Sequence, residues 1–154
     1  MADHQVQVQR EIAASPETVW GVITDLHHAA ETLSGVTRVE VLTDGPYAVG
    51  TRWRETRKMM GKEETQEMYV TELEAPIRTT VEAESGGVHY VSTFTLTPAA
   101  SGTHLLMTFG GEQPDPSGVQ KLAWTVFGRL GLRMARKVMV QDLDDIARRA
   151  EGIA

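Results

Sequence analysis

The chain has 154 residues, of which 41% are hydrophobic and 23% charged, which is ordinary for a globular protein. This length favours a single domain, residues 1–154, with a hydrophobic core of its own. The 15 basic and 21 acidic residues give a formal net charge of −6, which argues against nucleic acid as a partner. Because there is no cysteine, disulfides, thiolate zinc sites and a cysteine nucleophile are excluded.

The N-terminal stretch MADHQVQVQRE lacks the apolar core that a signal peptide needs. No apolar run approaches the length that would cross a membrane. We therefore expect a cytoplasmic protein without stable membrane insertion.

The first predicted elements are a strand and two short helices. In HQVQVQREIAA, apolar residues such as Val6 and Val8 alternate with polar ones, which predicts a half-buried strand. Ser15 is the expected N-cap of the next helix and Pro16 its first residue. A second short helix is predicted to end at Gly35.

Six further strands are predicted in the middle of the chain. They are VTRVEVLTD, GTRWRETRKMM, EETQEMYVTELE, IRTTVEAES, VHYVSTFTLTP and THLLMTFGGE, separated by short segments rich in glycine and proline. Connections of hairpin length imply an antiparallel sheet.

A single long helix is predicted at the C-terminus, over about residues 117–151. Apolar residues recur there at spacings of three and four, which indicates one apolar face. Asp144–Arg148 and Asp145–Arg149 have the spacing of helical ion pairs, so the end of this helix is expected to be solvent-exposed. The sheet and its one long helix predict an α+β fold.

The stretch TRWRETRKMM has an unusual pattern for a strand. Successive side chains of a strand point to opposite faces, so Trp53, Glu55, Arg57 and Met59 share one face. That face combines two large apolar residues with an acid and a base. Buried charges are expected to be paired or close to water.

The order of elements and three stretches resemble the START-like superfamily, also called Bet v 1-like or SRPBCC, in its bacterial polyketide cyclase/dehydrase-type branch. The stretches are REIAASPETVWGVITDLHHAAE, VGTRWRETRKMMGKEETQEMYVTELEAPIRTTVEA and STFTLTPAASGTHLLMTFGGE. The resemblance implies a helix-grip fold, in which a curved seven-stranded antiparallel sheet wraps around the C-terminal helix and encloses a ligand cavity. Members include lipid carriers, aromatase/cyclases and co-chaperone domains, so the fold does not by itself select a function.

Within such a cavity, the strand patterns predict a set of ligand-binding residues. Glu55 and Arg57 would hold the polar end of a ligand, or would instead form a structural pair, or would face outward if the strand bulges. Glu55, Arg57 and Tyr90 are the catalytic candidates, and we expect Arg57→Ala to weaken ligand binding with little loss of stability. The predicted ligand-binding residues are Trp53, Glu55, Arg57, Met59, Met68, Tyr90, Ser92, Phe94, Met107, Phe109, Trp124, Phe127 and Met134.

Three functions remain open at this point. The first is binding of a small hydrophobic or aromatic metabolite, lipid-like or polyketide-like; the second is an aromatase/cyclase reaction in the same cavity; the third is a co-chaperone-like interaction. The five histidines form no metal-binding pattern, and we expect neither a metal nor a cofactor. A basic stripe, Arg129, Arg133, Arg136 and Lys137, is interpreted as a solvated helix face. The protein is expected to be a monomer or a homodimer.

Overall fold

The computed structural model describes residues 5–59, 61–85, 87–112 and 118–153, without the side chains of residues 59, 85 and 112–132. Seven strands form one antiparallel sheet in the order β1-β7-β6-β5-β4-β3-β2. A long helix follows the last strand, and the predicted α+β helix-grip fold is confirmed. The elements are β1 (Gln5–Ile12), α1 (Pro16–Thr24), a 3-10 turn (Leu26–His28), α2 (Ala29–Thr32), β2 (Val36–Val41), β3 (Arg52–Met59), β4 (Lys62–Glu74), β5 (Arg78–Ser85), β6 (Val88–Ala99), β7 (Gly102–Glu112) and α3 (Gly118–Ile153).

Helix α1 begins as its sequence predicts. The Ser15 hydroxyl accepts a hydrogen bond from the Thr18 amide at 3.2 Å, and Pro16 occupies the first helical position. The second helix is shorter than predicted. It spans only Ala29–Thr32, because the backbone at Leu33 is already extended.

Strand β3 keeps one register along its whole pairing with β4. Arg52 lies opposite Tyr69 at one end and Met59 opposite Lys62 at the other, with no shift between them. The bulge that would have turned Glu55 outward is therefore not present between β3 and β4. The pairing of β2 with β3 does shift, between Val36 and Arg38, but this irregularity lies on the β2 side.

The main hydrophobic core lies between the β1–β7–β6 side of the sheet and the helices α1 and α3. Val19, Leu105 and Ala147 are fully buried there, each from a different element. A second, smaller cluster surrounds Trp53 on β3, with Val70 and Val81. The space between the two clusters is where the sheet and α3 leave a cavity.

The end of α3 is buried on the side that carries Asp145, and the expectation of a solvent-exposed end was wrong there. Asp144 pairs with Arg10 of β1 at 2.9 Å, and Asp145 is 7% exposed. The Asp145 carboxylate accepts hydrogen bonds from the amide and the hydroxyl of Ser34, each at 2.8 Å. The spacing of acids and arginines suggested pairs within the helix, whereas these two acids bond to other elements.

Most of the predicted basic stripe lies on the surface of α3. Arg133, Arg136 and Lys137 are exposed, and the Arg136 side chain donates to the backbone carbonyl of Gln7 at 3.2 Å. The Arg129 side chain lies outside the described residues. Within the described ranges, no helix is both long and apolar enough to cross a membrane.

Candidate functional site

A cavity of about 100 Å³ lies between the sheet, α3 and the short helices. Seven of the residues predicted to bind a ligand line it: Trp53, Glu55, Arg57, Met68, Ser92, Phe94 and Met107. The other lining residues were not predicted from the sequence. These are Val22, Ile23, Leu26, Ala29, Thr32, Leu33, Tyr47, Val81, Asp142 and Ile146.

The remaining predicted residues lie elsewhere or outside the described part of the chain. Tyr90 and Phe109 stack on each other, with ring centroids 5.6 Å apart, and are not among the described residues of the cavity wall. Met134 is half-buried on α3 and is also not part of the described wall. The side chains of Met59, Trp124 and Phe127 lie outside the described residues.

The cavity wall contains one charged cluster, formed by Glu55, Arg57 and Asp142. The Arg57 guanidinium donates from Nε to Glu55 Oε2 at 2.7 Å. It also donates from Nη1 and Nη2 to the two oxygens of Asp142, at 3.1 and 2.7 Å. This two-pronged contact with Asp142 is the geometry in which an arginine binds a carboxylate most strongly.

The charged cluster is largely removed from water. The side chains of Arg57, Glu55 and Asp142 are 19%, 12% and 6% exposed. Burial opposes the charge on Arg57, but the carboxylates of Asp142 and Glu55 outweigh it and raise the pKa of Arg57 further. The guanidinium therefore stays charged at every pH at which the protein folds.

Asp142 is held less favourably than its partner. Burial raises the pKa of Asp142, and the Arg57 guanidinium only partly opposes that shift. The neighbouring carboxylates of Glu55 and Asp145 raise it further. The pKa of Asp142 is raised overall because burial is the largest effect, and the one guanidinium that opposes it is shared with Glu55.

Asp142 is the member of the cluster that sequence reasoning missed. It is flanked on α3 by the buried residues Met139, Leu143 and Ile146, at spacings of three, one and four. An acid within the apolar face of a helix, together with a base on the apolar face of a strand, is a signal that could have paired them. The ion-pair spacing farther along α3 predicted partners for Asp144 and Asp145, whereas the acid that pairs with Arg57 is Asp142.

The other polar groups of the wall differ in how they are satisfied. The Tyr47 hydroxyl bonds to Thr79 Oγ1 at 2.8 Å, and burial raises the pKa of Tyr47. The Trp53 indole Nε1 is buried and has no acceptor among the described residues. Ser92 is 8% exposed. Among the described residues, no group of three or more histidine, aspartate or glutamate side chains is arranged so that it could hold a metal ion.

The outer face of the same strands carries ordinary surface pairs. Arg52 pairs with Glu67 at 3.0 Å, and its guanidinium lies 4.6 Å from the ring centre of Tyr69. Arg54 pairs with Glu40 at 3.5 Å, with about half of each side chain exposed. Met68 thus faces the cavity, whereas Tyr69 faces outward.

Comparison with known proteins shows which family the chain belongs to. A family model described as polyketide cyclase / dehydrase and lipid transport matches residues 3–151. No curated protein sequence matches the chain. Several solved structures share the fold at low sequence identity.

The protein TTHA0849 from Thermus thermophilus is 21% identical with a TM-score of 0.80, and the match covers 97% of this chain and 99% of that one. The Zhui aromatase/cyclase from Streptomyces sp. R1128 is 17% identical with a TM-score of 0.79, covering 96% and 93%. A START superfamily protein from Mycobacterium smegmatis is 15% identical with a TM-score of 0.76, covering 98% and 99%. Likeness at such identities establishes the fold alone. By the match over nearly its whole length, the chain belongs to the polyketide cyclase / dehydrase and lipid transport family.

Proposed function

We propose that the protein binds a small, mainly apolar molecule in the cavity, with the polar end of that molecule at the charged cluster. The observation that carries the proposal is the composition of the wall, where a hydrogen-bonded group of charges interrupts an otherwise mostly apolar lining. Ligand sites of proteins combine an apolar surface with a few placed polar groups in the same way. The family description, which includes lipid transport, supports the same class of ligand.

The size of the cavity limits what it can enclose. An engineered cavity of roughly 150 Å³ in another protein accepts benzene, whereas drug-sized ligands occupy roughly 300–1,000 Å³. A volume of about 100 Å³ therefore suits one small ring or a short branched chain. Longer ligands require side chains of the wall to move, or leave part of the molecule outside.

A second candidate function is an aromatase/cyclase reaction in the same cavity. The likeness to an aromatase/cyclase structure and the convergence of Glu55, Arg57 and Asp142 on one wall favour it. In that case Glu55 would accept or return a proton, and the wall would orient the reacting chain. The small volume supports binding of a compact molecule over folding of a long poly-carbonyl chain. An interaction role without a ligand is supported least, since it predicts a filled interior.

Native mass spectrometry of freshly purified protein tests the proposal. We expect a small molecule, mainly apolar, to remain bound under gentle ionisation and to appear free after denaturation. The matched control is Ser92→Phe, which places a ring into the cavity from β6. If the variant folds and retains the same molecule in the same amount, the molecule is bound elsewhere and the proposal is wrong.

A short poly-β-ketone offered to the protein tests the second candidate. Cyclisation with loss of water, followed by mass spectrometry, should be faster with the protein than without it and should be lost in Glu55→Gln. An unchanged rate in the presence of the protein would rule the cyclase out for that substrate.

A further inference from the structure

The positive charge of Arg57 is already neutralised within the cavity wall. Three of its N–H groups donate to carboxylate oxygens, one to Glu55 and two to Asp142, at 2.7 to 3.1 Å. Arginine most often recognises carboxylates and phosphates through this same fork of donors. With the fork occupied from inside the protein, Arg57 has little charge to offer an anionic ligand.

Among the described residues of this wall, carboxylates outnumber basic groups. The charged cluster contains two carboxylates and one guanidinium, and Asp145 adds a further buried carboxylate one helical turn from Asp142. The Asp145 carboxylate is compensated by neutral donors, namely Ser34 and the Gln141 amide. An anionic ligand brought into this partly buried region would be repelled by these carboxylates and would also lose its hydration.

Glu55 has an oxygen that remains available to a ligand. Its Oε2 accepts from Arg57, whereas Oε1 accepts no hydrogen bond from the described residues. The side chain is 12% exposed and lines the cavity. A carboxylate oxygen in such a place is a strong acceptor for a hydroxyl or N–H donor.

The other polar groups of the wall are neutral. The Trp53 indole Nε1 has no acceptor among the described residues, but almost none of its surface is accessible, so a ligand in the cavity does not reach it. Thr32 and Ser92 also line the cavity, and their hydroxyl groups can donate or accept. Among the described residues, the open charged acceptor of the wall is Glu55.

We propose that the cavity selects an uncharged ligand whose polar end is a hydroxyl group, and discriminates against carboxylates of the same size. The hydroxyl hydrogen is donated to Glu55. Because this assignment names the ligand class of the same cavity, it rests on the proposed function.

Four matched probes of one ring, the size that the cavity suits, test the assignment: phenol, anisole, benzene and benzoate, titrated by NMR at pH 7. At that pH a phenol is neutral and a carboxylic acid is ionised. We expect the phenol to bind about tenfold or more tightly than the anisole, because the anisole cannot donate to Glu55. The benzoate should bind at least about tenfold more weakly than the phenol.

Two outcomes separate this assignment from the proposed function. If none of the four probes binds, including benzene, the proposed function is wrong. If the probes bind but the benzoate is held as tightly as the phenol, or the anisole as tightly as the phenol, the cavity is real and the assignment is overturned.

Variants locate the effect at the named residues. Glu55→Gln removes one negative charge without changing size, so the preference for phenol over benzoate should fall about tenfold or more. Arg54→Gln is the matched control, since it changes a charge on the outer face of the same strand and should leave this preference within about twofold. A preference that stays unchanged in Glu55→Gln would overturn the role assigned to Glu55.

Discussion

Replacing Arg57 by alanine would leave the Asp142 carboxylate buried without its two-pronged partner. The Asp142 side chain is only 6% exposed, and the carboxylates of Glu55 and Asp145 are close enough to disfavour its charge. Removing one member of a buried ion pair typically costs about 3–5 kcal/mol. Small domains are stable by about 5–15 kcal/mol, so this loss would be a large fraction of the total stability. Urea denaturation followed by circular dichroism measures this difference. The expectation from sequence alone, that Arg57→Ala weakens binding with little loss of stability, is replaced by this prediction.

The pH dependence of the loss provides a sharper test. In Arg57→Ala the pKa of Asp142 should rise beyond its already raised value, because its cationic partner is gone. A carboxyl group with a raised pKa in the folded state favours folding at low pH, and that contribution is lost as the pH rises through the folded pKa. The deficit of the variant relative to wild type should therefore be larger at pH 8 than at pH 5.

Two further variants isolate the cause. Arg54→Ala removes an arginine from the outer face of the same strand, where the pair with Glu40 is about half exposed, and should cost about 1 kcal/mol or less. Adding Asp142→Asn to Arg57→Ala should recover part of the stability, because no unpaired charge then remains from that pair. A loss below about 1 kcal/mol in Arg57→Ala, equal at both pH values, would refute the reasoning.

Three other predictions concern the scaffold and the surface. Gly102→Ala should destabilise the protein by about 1–3 kcal/mol in thermal unfolding, because a Cβ there would lie 2.0 Å from the Ile12 carbonyl oxygen; an unchanged midpoint would contradict this close approach. Ser15→Ala should cost about 1 kcal/mol through loss of the α1 cap, measured by urea denaturation, with Ser15→Asp as the variant that restores an acceptor. Partial burial lowers the pKa of His89, but two neighbouring carboxylates, one of which is Glu82, raise it by more. An NMR titration should therefore give a His89 pKa above 6.5, and this pKa should fall in Glu82→Gln. A His89 pKa at or below 6.5 in the wild type would contradict the pairing.

The arrangement of strands and helices was accessible from sequence because local rules determine it. Alternation in HQVQVQREIAA, the cap at Ser15 and the glycine-rich turns each depend on residues only a few positions apart. The single face shared by Trp53, Glu55 and Arg57 also follows from the period of a strand, once no register shift intervenes.

The composition of the site was less accessible, since it depends on pairing across the chain. Arg57 and Asp142 are 85 positions apart, and no local sequence pattern predicts which acid will pair with a given strand residue. Tyr90 has the parity of a cavity residue, yet it stacks on Phe109 instead. The alternation of a strand predicts which face of the sheet a side chain occupies. The position of the residue along the curved sheet decides whether that side chain reaches the cavity. The size of the cavity likewise follows from packing and not from composition.

The end of α3 bonds to both sides of the sheet. Arg10 on β1 meets Asp144, while Arg57 on β3 meets Asp142, and β1 and β3 lie at nearly opposite ends of the strand order. These contacts join residues 85 and 134 positions apart, and contacts so distant in sequence tend to form late in folding. The cavity would then be completed only when this part of the helix docks. A ligand that requires Glu55 and Arg57 in place would bind only the finished fold, so at free concentration [L] it would stabilise the native state by RT ln(1 + [L]/Kd).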